Sequence, residues 1–365
     1  MINKLYNSGR WCSAAAISGL LAFASSVPAI ITPPKHYFFN EPGNILIADQ
    51  FNNRVIETDP NGNILWRYGL GPNDFTFRSP IGVNDAERVG QDTLMAATGT
   101  PAGVVPGAPN GAADNRVLLV DPHGRTLWEY GRFGETGDGF DLLNTPVQCT
   151  WLSKGNVLIT DQGNNRIIEV NKQQRIVWQY PGSNSNPDDQ LNSPNSAELL
   201  TNGNVLISDE NNNRVIEVTP GDVIANTYTA GGTIGAVAFA SRLANGDTLI
   251  TDAGNSRAVE VDTNDVIVWQ YYTNLDPDSL ANPLPSRAVR LKNGDTLISD
   301  QFNNRVIRVN TGGTIVADYG LPLDDGNNIG VSTHTTQDGL YAPYDAKVIG
   351  DYTGLTMPTT VPSPY

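Results

Sequence analysis

The sequence contains few of the residues that build disulfides, metal centres and nucleic-acid interfaces. Of its 365 residues only two are Cys and three are His, and 23 basic residues face 38 acidic ones. With a net charge of −15 and no basic stripe, the chain is not expected to bind nucleic acid or an anionic membrane. An acidic surface chiefly keeps a protein soluble, so we expect no resident cofactor and leave calcium as the one ion that such a surface would attract.

One run of small apolar residues, 12–24, follows Lys4 and Arg10 near the N-terminus. This order is typical of a secretory signal peptide, and the run is too short to span a bilayer. An uncleaved anchor is the alternative. We predict that residues 1–29 are a signal peptide, so that the mature protein is secreted to the periplasm or outside the cell and is not membrane-bound. Cys149 is then the only Cys left, and no internal disulfide is expected.

One unit recurs through the rest of the chain. Its clearest copy, GNVLITDQGNNRIIEVNKQQRIVWQY, spans residues 155–180, and a degenerate copy spans residues 92–130. The other copies begin at Gly43, Gly203, Gly246 and Gly294. Each copy contains three runs rich in β-branched residues, which turn residues separate, and this pattern indicates β-strands. Self-similarity at a regular interval predicts a repeat architecture.

A fourth strand precedes the copies. When the copies are aligned on their first Gly, the preceding segments also align, and each is predicted to be a strand. These segments are residues 146–152, 194–200, 237–243 and 285–291. For the first copy we assign this strand to residues 35–40. Four antiparallel strands in each of six units predict an all-β fold, a six-bladed β-propeller of four-stranded antiparallel blades.

The end of the chain departs from the repeat. Residues 343–349 resemble the innermost strands, and we interpret them as a strand or cap at the seam between the first and last blades. We therefore assign residues 30–320 to the propeller and residues 321–365 to this strand or cap and a flexible tail.

Two repeated features are interpreted as structural. The second strand of most copies ends in Asp, and Arg follows five residues later, as in Asp161 and Arg166. Because each carboxylate comes with its own cation, we expect a hydrogen-bonded ion pair that fixes the loop rather than a ring of metal ligands. The second unit has Ala97 in place of Asp, so Arg116 must find another partner. The outer strands carry a Trp, such as Trp178, which we expect to pack between neighbouring blades.

The motif D-x-x-N-x-R-[VI]-[IL]-x-V, followed by a turn and an aromatic strand, resembles the NHL repeat. The resemblance covers residues 34–320 and implies a six-bladed propeller. NHL-type domains serve in protein or RNA interaction and scaffolding, and some secreted relatives are enzymes. The Ile-Val-Trp-Gln-Tyr strand is also similar to the propeller of bacterial arylsulfotransferases, which implies a His nucleophile. That likeness lies in blade sequence and not in catalytic motifs.

The innermost strands should line the central channel, with alternate residues facing it. We predict that ligands bind at the channel mouth through His36, Gln148, Glu198, Arg287 and Asp345. Ser196 and Phe239 share the channel-facing register, and an ordinary solvated channel would have a similar mixture. The longer loops and an uncharged insertion at residues 98–113 are expected on the same face as the mouth, where binding residues usually lie.

Catalytic motifs are scarce. We find no Ser–His–Asp order, phosphate loop or paired-Cys motif, and we assign no catalytic residue and no metal ligand. The secreted amidating lyases with NHL-type propellers bind zinc through three His, but His123 is expected in a turn on the opposite face. A calcium site of the lactonase type would need converging oxygen ligands, for which Asn84, Asp85 and Glu198 are candidates.

Three functions remain open. We favour a secreted, non-enzymatic binding or scaffold protein that meets a protein or glycan partner at its loop face and channel mouth. The alternative is an enzyme with its site at the channel mouth, either a calcium-dependent hydrolase or lactonase or a sulfotransferase-like protein. The third is a self-assembling surface protein, which the Pro- and Thr-rich tail favours.

Overall fold

The computed structural model describes residues 38–183, 185–186, 189–277, 279–320 and 339–351. These residues form six four-stranded antiparallel sheets, which are the blades of a β-propeller. The predicted fold class is therefore confirmed. Among the described residues no helix is long and apolar enough to cross a membrane.

The first half of the chain supplies most of blades 1 to 3. Blade 1 contains β1 (Ile45–Asp49), β2 (Arg54–Thr58) and β3 (Ile64–Tyr68). Blade 2 contains β4 (Val83–Val89), β5 (Asp92–Thr100), β6 (Ala112–Val120) and β7 (Thr126–Gly131). Blade 3 contains β8 (Pro146–Trp151), β9 (Val157–Asp161), β10 (Arg166–Val170) and β11 (Ile176–Tyr180).

The second half supplies blades 4 to 6. Blade 4 contains β12 (Pro194–Leu199), β13 (Val205–Asp209), β14 (Arg214–Val218) and β15 (Ile224–Tyr228). Blade 5 contains β16 (Val237–Arg242), β17 (Thr248–Asp252), β18 (Arg257–Val261) and β19 (Ile267–Tyr272). Blade 6 contains β20 (Arg287–Arg290), β21 (Thr296–Asp300), β22 (Arg305–Val309) and β23 (Ile315–Asp318).

Blade 1 is completed by the C-terminal part of the chain. A last strand, β24 (Pro343–Val348), pairs antiparallel with β1, with Ala48 opposite Asp345. The strand predicted at residues 343–349 is thus the innermost strand of blade 1. The assignment of residues 35–40 to that position is wrong, because residues 38–40 form a turn and β24 occupies the edge of β1. Blade 1 therefore joins both halves of the chain and closes the ring.

The repeated Asp and Arg form the expected ion pair. In blade 1 Arg54 Nε donates to Asp49 Oδ2 at 2.7 Å, and both side chains are buried. The same pair recurs as Asp161–Arg166 (2.7 Å), Asp209–Arg214 (2.7 Å), Asp252–Arg257 (2.6 Å) and Asp300–Arg305 (2.8 Å). In blade 2, Arg116 finds its partner in Asp114, two residues earlier. The pair is a structural clasp: it joins the second and third strands in five blades, and in blade 2 both partners lie in β6.

The Asn residues of the motif join five of the six blades to the next, and blade 5 has Ser256 at this position. Asn53 has a left-handed backbone (φ 48°), and its Oδ1 accepts from Gly82 N at 2.9 Å, directly before β4. A short side chain that tolerates this backbone and carries an acceptor explains the preference for Asn here. Equivalent bonds join Asn115 to Thr145, Asn165 to Ser193, Asn213 to Ala236 and Asn304 to Ala342.

The outer-strand Trp residues pack between blades, as predicted. Trp128 in β7 lies in one buried cluster with Trp151 and Ile168 of blade 3, and Trp66 Nε1 donates to Pro122 O of blade 2 at 2.9 Å. Blade 6 has Ala317 at the equivalent position. A depression of about 570 Å³ lies there at the seam with blade 1. The missing indole explains this gap.

Three seams contain an additional ion pair whose carboxylate is buried. Arg88 Nη2 of blade 2 donates to Glu57 Oε2 of blade 1 at 2.6 Å, and the guanidinium lies 4.9 Å from the ring centre of Trp66. The corresponding pairs Glu217–Arg242 (3.0 Å) and Glu260–Arg290 (2.7 Å) join blades 4 to 5 and 5 to 6. Because charge and cation–π contacts act together, these pairs fix neighbouring blades in register.

Candidate functional site

The innermost strands leave backbone N–H groups along the channel, and side chains of the preceding blade satisfy them. Asp345 accepts from Ala86 N (3.2 Å), and Asp85 accepts from Cys149 N (3.0 Å). The series continues around the ring with Gln148 to Ala197 N (2.6 Å) and Ser196 to Ala240 N (3.2 Å). An unpaired buried N–H is costly, so these polar side chains are explained by the strand edge that they cover.

Two cations and two carboxylates fill the centre of this layer. Arg287 Nε donates to Asp345 Oδ1 at 3.1 Å and its Nη2 donates to Asp85 Oδ1 at 3.2 Å. Lys347 Nζ donates to Asp85 Oδ1 at 2.8 Å and also to Asp345. The guanidinium of Arg287 lies 4.3 Å from the ring centre of Phe239. Blades 1, 2, 5 and 6 therefore meet at one ionic cluster.

Burial and the two cations set opposite pKa directions in this cluster. Burial raises the pKa of Asp85, whereas Lys347 and Arg287 overcome burial at Asp345 and hold its pKa below the ordinary value. Burial also raises the pKa of Glu87 to about 8, although Lys347 opposes it. Glu87 is therefore mainly protonated at pH 7, and Asp85 and Asp345 are the two carboxyl groups that contact the two cations.

The structure brings together three of the predicted channel residues. Gln148, Arg287 and Asp345 lie in one layer, and Glu198 lies two residues further along β12, where its Oε2 accepts from Arg242 N at 2.9 Å. Their exposed fractions are 6%, 1%, 0% and 7%. Each is engaged inside the propeller, and His36 lies outside the described residues. The channel at this level is a packed core.

A depression of about 560 Å³ lies above this core on the loop face. Gln50, Asn84, Asn195 and Tyr344 form its buried floor, and the half-buried Gln162 and Glu210 stand beside them. We call this depression the mouth. Its floor residues come from the starts of the innermost strands and from the short 3-10 helices that follow the clasp Asp.

One chain of hydrogen bonds crosses the floor and ends at the carboxylate of Glu210. Tyr344 OH donates to Asn195 Oδ1 at 3.0 Å, and Asn195 Nδ2 donates to Glu210 Oε2 at 2.8 Å. Gln162 Nε2 donates to the same oxygen at 3.1 Å. Because an ionised carboxylate can only accept, it fixes the orientation of the Asn195 amide. Burial raises the pKa of Glu210, and the Asn195 amide opposes this shift.

A second chain crosses the other side of the floor. Gln301 Nε2 donates to Gln50 Oε1 and Gln50 Nε2 donates to Asn84 Oδ1, both at 2.8 Å. The amide nitrogen of Asn84 makes no hydrogen bond within the described part of the chain. One side of the mouth thus ends in a donor and the other in an acceptor, which allows it to orient a polar molecule.

The uncharged insertion forms one wall of the mouth. It extends β5 and β6, and residues 98–102 and 110–113 line the depression. Its middle packs on the loop face, where Val105 joins a buried cluster with Phe51 and Tyr341. The insertion has no charges because it covers apolar side chains. Its predicted place beside the channel mouth is confirmed.

The other candidate ligands stay apart. Asp85 belongs to the ionic cluster, Asn84 to the mouth and Glu198 to the strand edge near Arg242. Within the described residues no group of three or more His, Cys, Asp or Glu is placed to hold a metal ion. His123 lies in the turn after Asp121, whose Oδ1 accepts its backbone N–H at 2.9 Å.

Apart from Asn84, which was a candidate calcium ligand, the mouth residues were not predicted, although the sequence contains a signal for them. Gln50, Gln162 and Glu210 each follow a clasp Asp, and Asn84, Asn195 and Tyr344 each precede a channel-layer residue. At both positions the copies differ from one another. Variation within a repeat, together with polar side chains, would have indicated a surface that is specific to this chain.

Comparison with known proteins supports the fold and goes no further. No protein-family model matches the chain, and no curated protein matches it. A protein of unknown function from Bacteroides caccae is similar in structure, with a TM-score of 0.54 and 16% identity over 78% of this chain and 96% of that one. Virginiamycin B lyase from Staphylococcus aureus (TM-score 0.49, 14% identity, 80% and 88% covered) and a chain of the nidogen/laminin complex (0.49, 13%, 76% and 92%) also match. At 16% identity the first of these matches shows a likeness in fold alone, and the number of blades follows from the sheet topology.

Proposed function

We propose that this chain is a secreted, non-enzymatic binding protein that holds its ligand in the mouth. The observation that carries the proposal is the hydrogen-bonded floor of Tyr344, Asn195 and Glu210 beside the wall formed by the insertion. Polar groups already held in place lose little freedom when a ligand binds, so such a floor favours recognition. Secretion is inferred from the N-terminal sequence alone.

The filled channel supports a binding role by stiffening the scaffold beneath the mouth. The ionic cluster of Asp85, Asp345, Arg287 and Lys347 lies one residue below the floor along β4 and β24. Loops held on a rigid scaffold are the usual place for recognition. The repeated clasp builds every blade, whereas the mouth is built from positions at which the copies differ.

The proposal is tested by blocking the mouth. Ala102 is exposed in the wall, and Ala102→Trp should fill part of the depression without disturbing a blade. A matched control, Ala225→Trp, places the same side chain on the exposed outer strand of blade 4. The mature protein is screened by ligand-observed NMR against neutral and charged oligosaccharides, amines and short peptides. We expect at least one compound whose binding is lost in Ala102→Trp and retained in Ala225→Trp.

The result that would contradict this function is equally direct. Binding that both Trp variants retain would place the site elsewhere. A screen in which no compound binds would remove the mouth as a small-molecule site.

An enzyme that uses the same mouth is the second candidate, and Glu210 is the observation that favours it. Burial raises the pKa of this carboxyl group. A carboxyl group with a raised pKa can act as a general acid or base. An enzyme would convert the compound that binds, and Glu210→Gln would abolish conversion. Unchanged compound after prolonged incubation with wild type would leave the binding role.

A further inference from the structure

The side chains that line the mouth are almost all neutral hydrogen-bonding groups. They comprise seven amides, four Thr hydroxyls, one phenol and one carboxyl, and within the described residues neither Lys nor Arg lines the depression. Among the described residues that line the site, Glu210 is therefore the one acidic or basic side chain. With a net charge of −15 on the whole chain, the mouth disfavours phosphate, sulfate and carboxylate ligands. One carboxylate is also too little to hold a divalent cation by itself.

The ends of the two hydrogen-bond chains call for a ligand that both donates and accepts. Glu210 is an acceptor at one side of the floor, and the amide nitrogen of Asn84, which has no acceptor among the described residues, is a donor at the other. The amide side chains of Asn110 and Asn144 also line the mouth and make no hydrogen bond within the described part of the chain. A hydroxyl group donates one hydrogen bond and accepts others, so it suits every one of these positions.

The size and the wall of the mouth agree with that chemistry. A volume of about 560 Å³ falls within the range of small-molecule sites. Pro101, Ala102 and Ala112 give the wall a shallow apolar surface against which the C–H face of a ring can lie. No Phe, Trp, Leu, Ile or Val lines the mouth among the described residues, so it offers no pocket for the apolar side chain of a peptide.

We infer that the ligand of the mouth is a neutral, hydroxyl-rich molecule, namely a short neutral glycan. This inference rests on the proposed function and adds to it the class of ligand. Ring hydroxyls donate to Glu210 and accept from Asn84 and Asn110, while one ring face lies on the wall of the insertion.

The test compares three ligand classes by isothermal titration calorimetry and protein-observed NMR at pH 7.5 and physiological salt. The panel contains neutral trisaccharides of glucose, mannose, xylose and N-acetylglucosamine, a trigalacturonate as the anionic counterpart, and a neutral capped tripeptide. We expect at least one neutral trisaccharide to bind, and the trigalacturonate to bind at least about tenfold more weakly or not at all.

Point variants then connect binding to the named groups. Glu210→Gln and Asn84→Ala should each weaken binding about tenfold or more, because one hydrogen bond that involves a charged or buried group is worth about that factor. Asn110→Ala removes a second amide donor of the mouth. Because Asn110 lies in an exposed loop, this variant provides the test if Asn84→Ala does not fold. Asn61→Ala, in an exposed turn between β2 and β3, is the matched control and should bind as wild type does.

The outcomes separate the two proposals. If the tripeptide or the trigalacturonate binds in the mouth and no neutral trisaccharide does, the glycan inference is overturned while the binding function stands. If a trisaccharide binds equally to wild type, Glu210→Gln and Asn110→Ala, the site lies elsewhere and both proposals fail. If no class of ligand binds to the wild-type protein, both fail as well.

Discussion

A proline in blade 6 leaves a buried carboxylate oxygen without a hydrogen-bond donor. Replacing this proline restores one backbone N–H, and the change in stability tests what the missing hydrogen bond costs. In the other blades the backbone N–H just before the left-handed residue donates to the clasp carboxylate, always at 2.8 Å. The five donors are Ile81, Asn144, Asn192, Gly235 and Tyr341. The equivalent residue of blade 6 is Pro283, which precedes Leu284 (φ 48°) and has no N–H. Asp300 Oδ1 is buried there without a hydrogen-bond partner in the described structure.

The magnitude follows from this single missing bond. Burial raises the pKa of Asp300 to about 6, although Arg305 and Asn303 oppose it. The Thr273 hydroxyl lowers the pKa of Asp300 least, and it donates its hydrogen bond to Ser256 O at 3.2 Å. A hydrogen bond to a charged group contributes about 1.5–3 kcal/mol, and loss of a compatible proline costs about 0.4–1 kcal/mol. Pro283→Ala should therefore raise the free energy of unfolding by about 1 kcal/mol at pH 7.5.

The pH dependence gives the prediction its signature. The pKa of Asp300 in the folded protein, about 6, lies above its ordinary value of 3.8. The contribution of this group is therefore fully present at acid pH and is lost as the pH rises through 6. The new N–H stabilises the ionised form, so the gain from Pro283→Ala should be largest above pH 6.5 and should shrink towards pH 4.5. Urea unfolding followed by Trp fluorescence measures the gain in the free energy of unfolding and its change with pH.

Blade 5 provides the reverse experiment. Gly235→Pro removes the N–H that Asp252 accepts, whereas Gly235→Ala keeps it. A β-carbon at this position lies 3.7 Å from its nearest neighbour, so Ala fits without displacement. We expect Gly235→Pro to be less stable than Gly235→Ala by about 1–3 kcal/mol at pH 7.5. Equal stability of these two variants, or a gain from Pro283→Ala that does not change with pH, would refute the reasoning.

Three further predictions concern the seam and the core. Ala317→Leu should stabilise the protein by about 1 kcal/mol, because the added methyl groups enter the depression between blades 6 and 1; Ala225→Leu, on an exposed outer strand, is the neutral control. Glu87→Gln should stabilise the protein at pH 7, because the pKa of Glu87 rises from 4.5 to about 8 on folding, so that wild type must take up a proton to fold and the variant need not. Wild type should lose stability as the pH rises from 4.5 to about 8 and level off above that, and the variant should not show this loss. Lys347→Met should cost about 3–5 kcal/mol, because it leaves Asp85 and Asp345 buried with one cation. Denaturant unfolding from about pH 4.5 to about pH 9 measures all three.

Each of these predictions has an outcome that contradicts it. A destabilised Ala317→Leu would mean that the seam depression is already closed by other groups. A Glu87→Gln variant that follows the wild-type pH profile would mean that Glu87 is ionised at neutral pH. A Lys347→Met variant as stable as wild type would remove the ionic cluster as a support of the ring.

The blades could be predicted because their information is local. Asp161 and Arg166 lie on paired strands five residues apart, so the spacing alone brings them together. The Trp stripe follows from the two-residue period of a strand. The closing strand was recognised only by its likeness to the other inner strands. Its pairing with β1 spans almost the whole chain, and residues 35–40 were the closer candidate along the sequence.

The channel layer was predicted better than the mouth, because only the channel layer follows from the local pattern of the inner strands. The alternation of inner strands placed Arg287 and Asp345 in one layer, which the structure confirms. The contact of Arg287 with Asp85 depends on how six separate blades meet at an axis, and no local pattern contains that information. The floor of the mouth lies one residue earlier on each strand, where a bulge turns the chain outward from the regular pairing. The strict alternation of side chains along a strand therefore does not predict which residues form the floor.

Ring closure and recognition depend on the same strand. Tyr344, Asp345 and Lys347 are all in β24: Tyr344 starts the hydrogen-bond chain that ends at Glu210, while the other two hold the ionic cluster. A loss of the cluster therefore frees the strand that orients the floor. Lys347→Met should accordingly weaken ligand binding more than its distance from the mouth suggests. Arg308→Met, which breaks the half-exposed pair with Asp295 in blade 6, should leave binding unchanged. Equal effects of the two variants on binding would mean that the floor is held by its own hydrogen bonds and not by the closed ring.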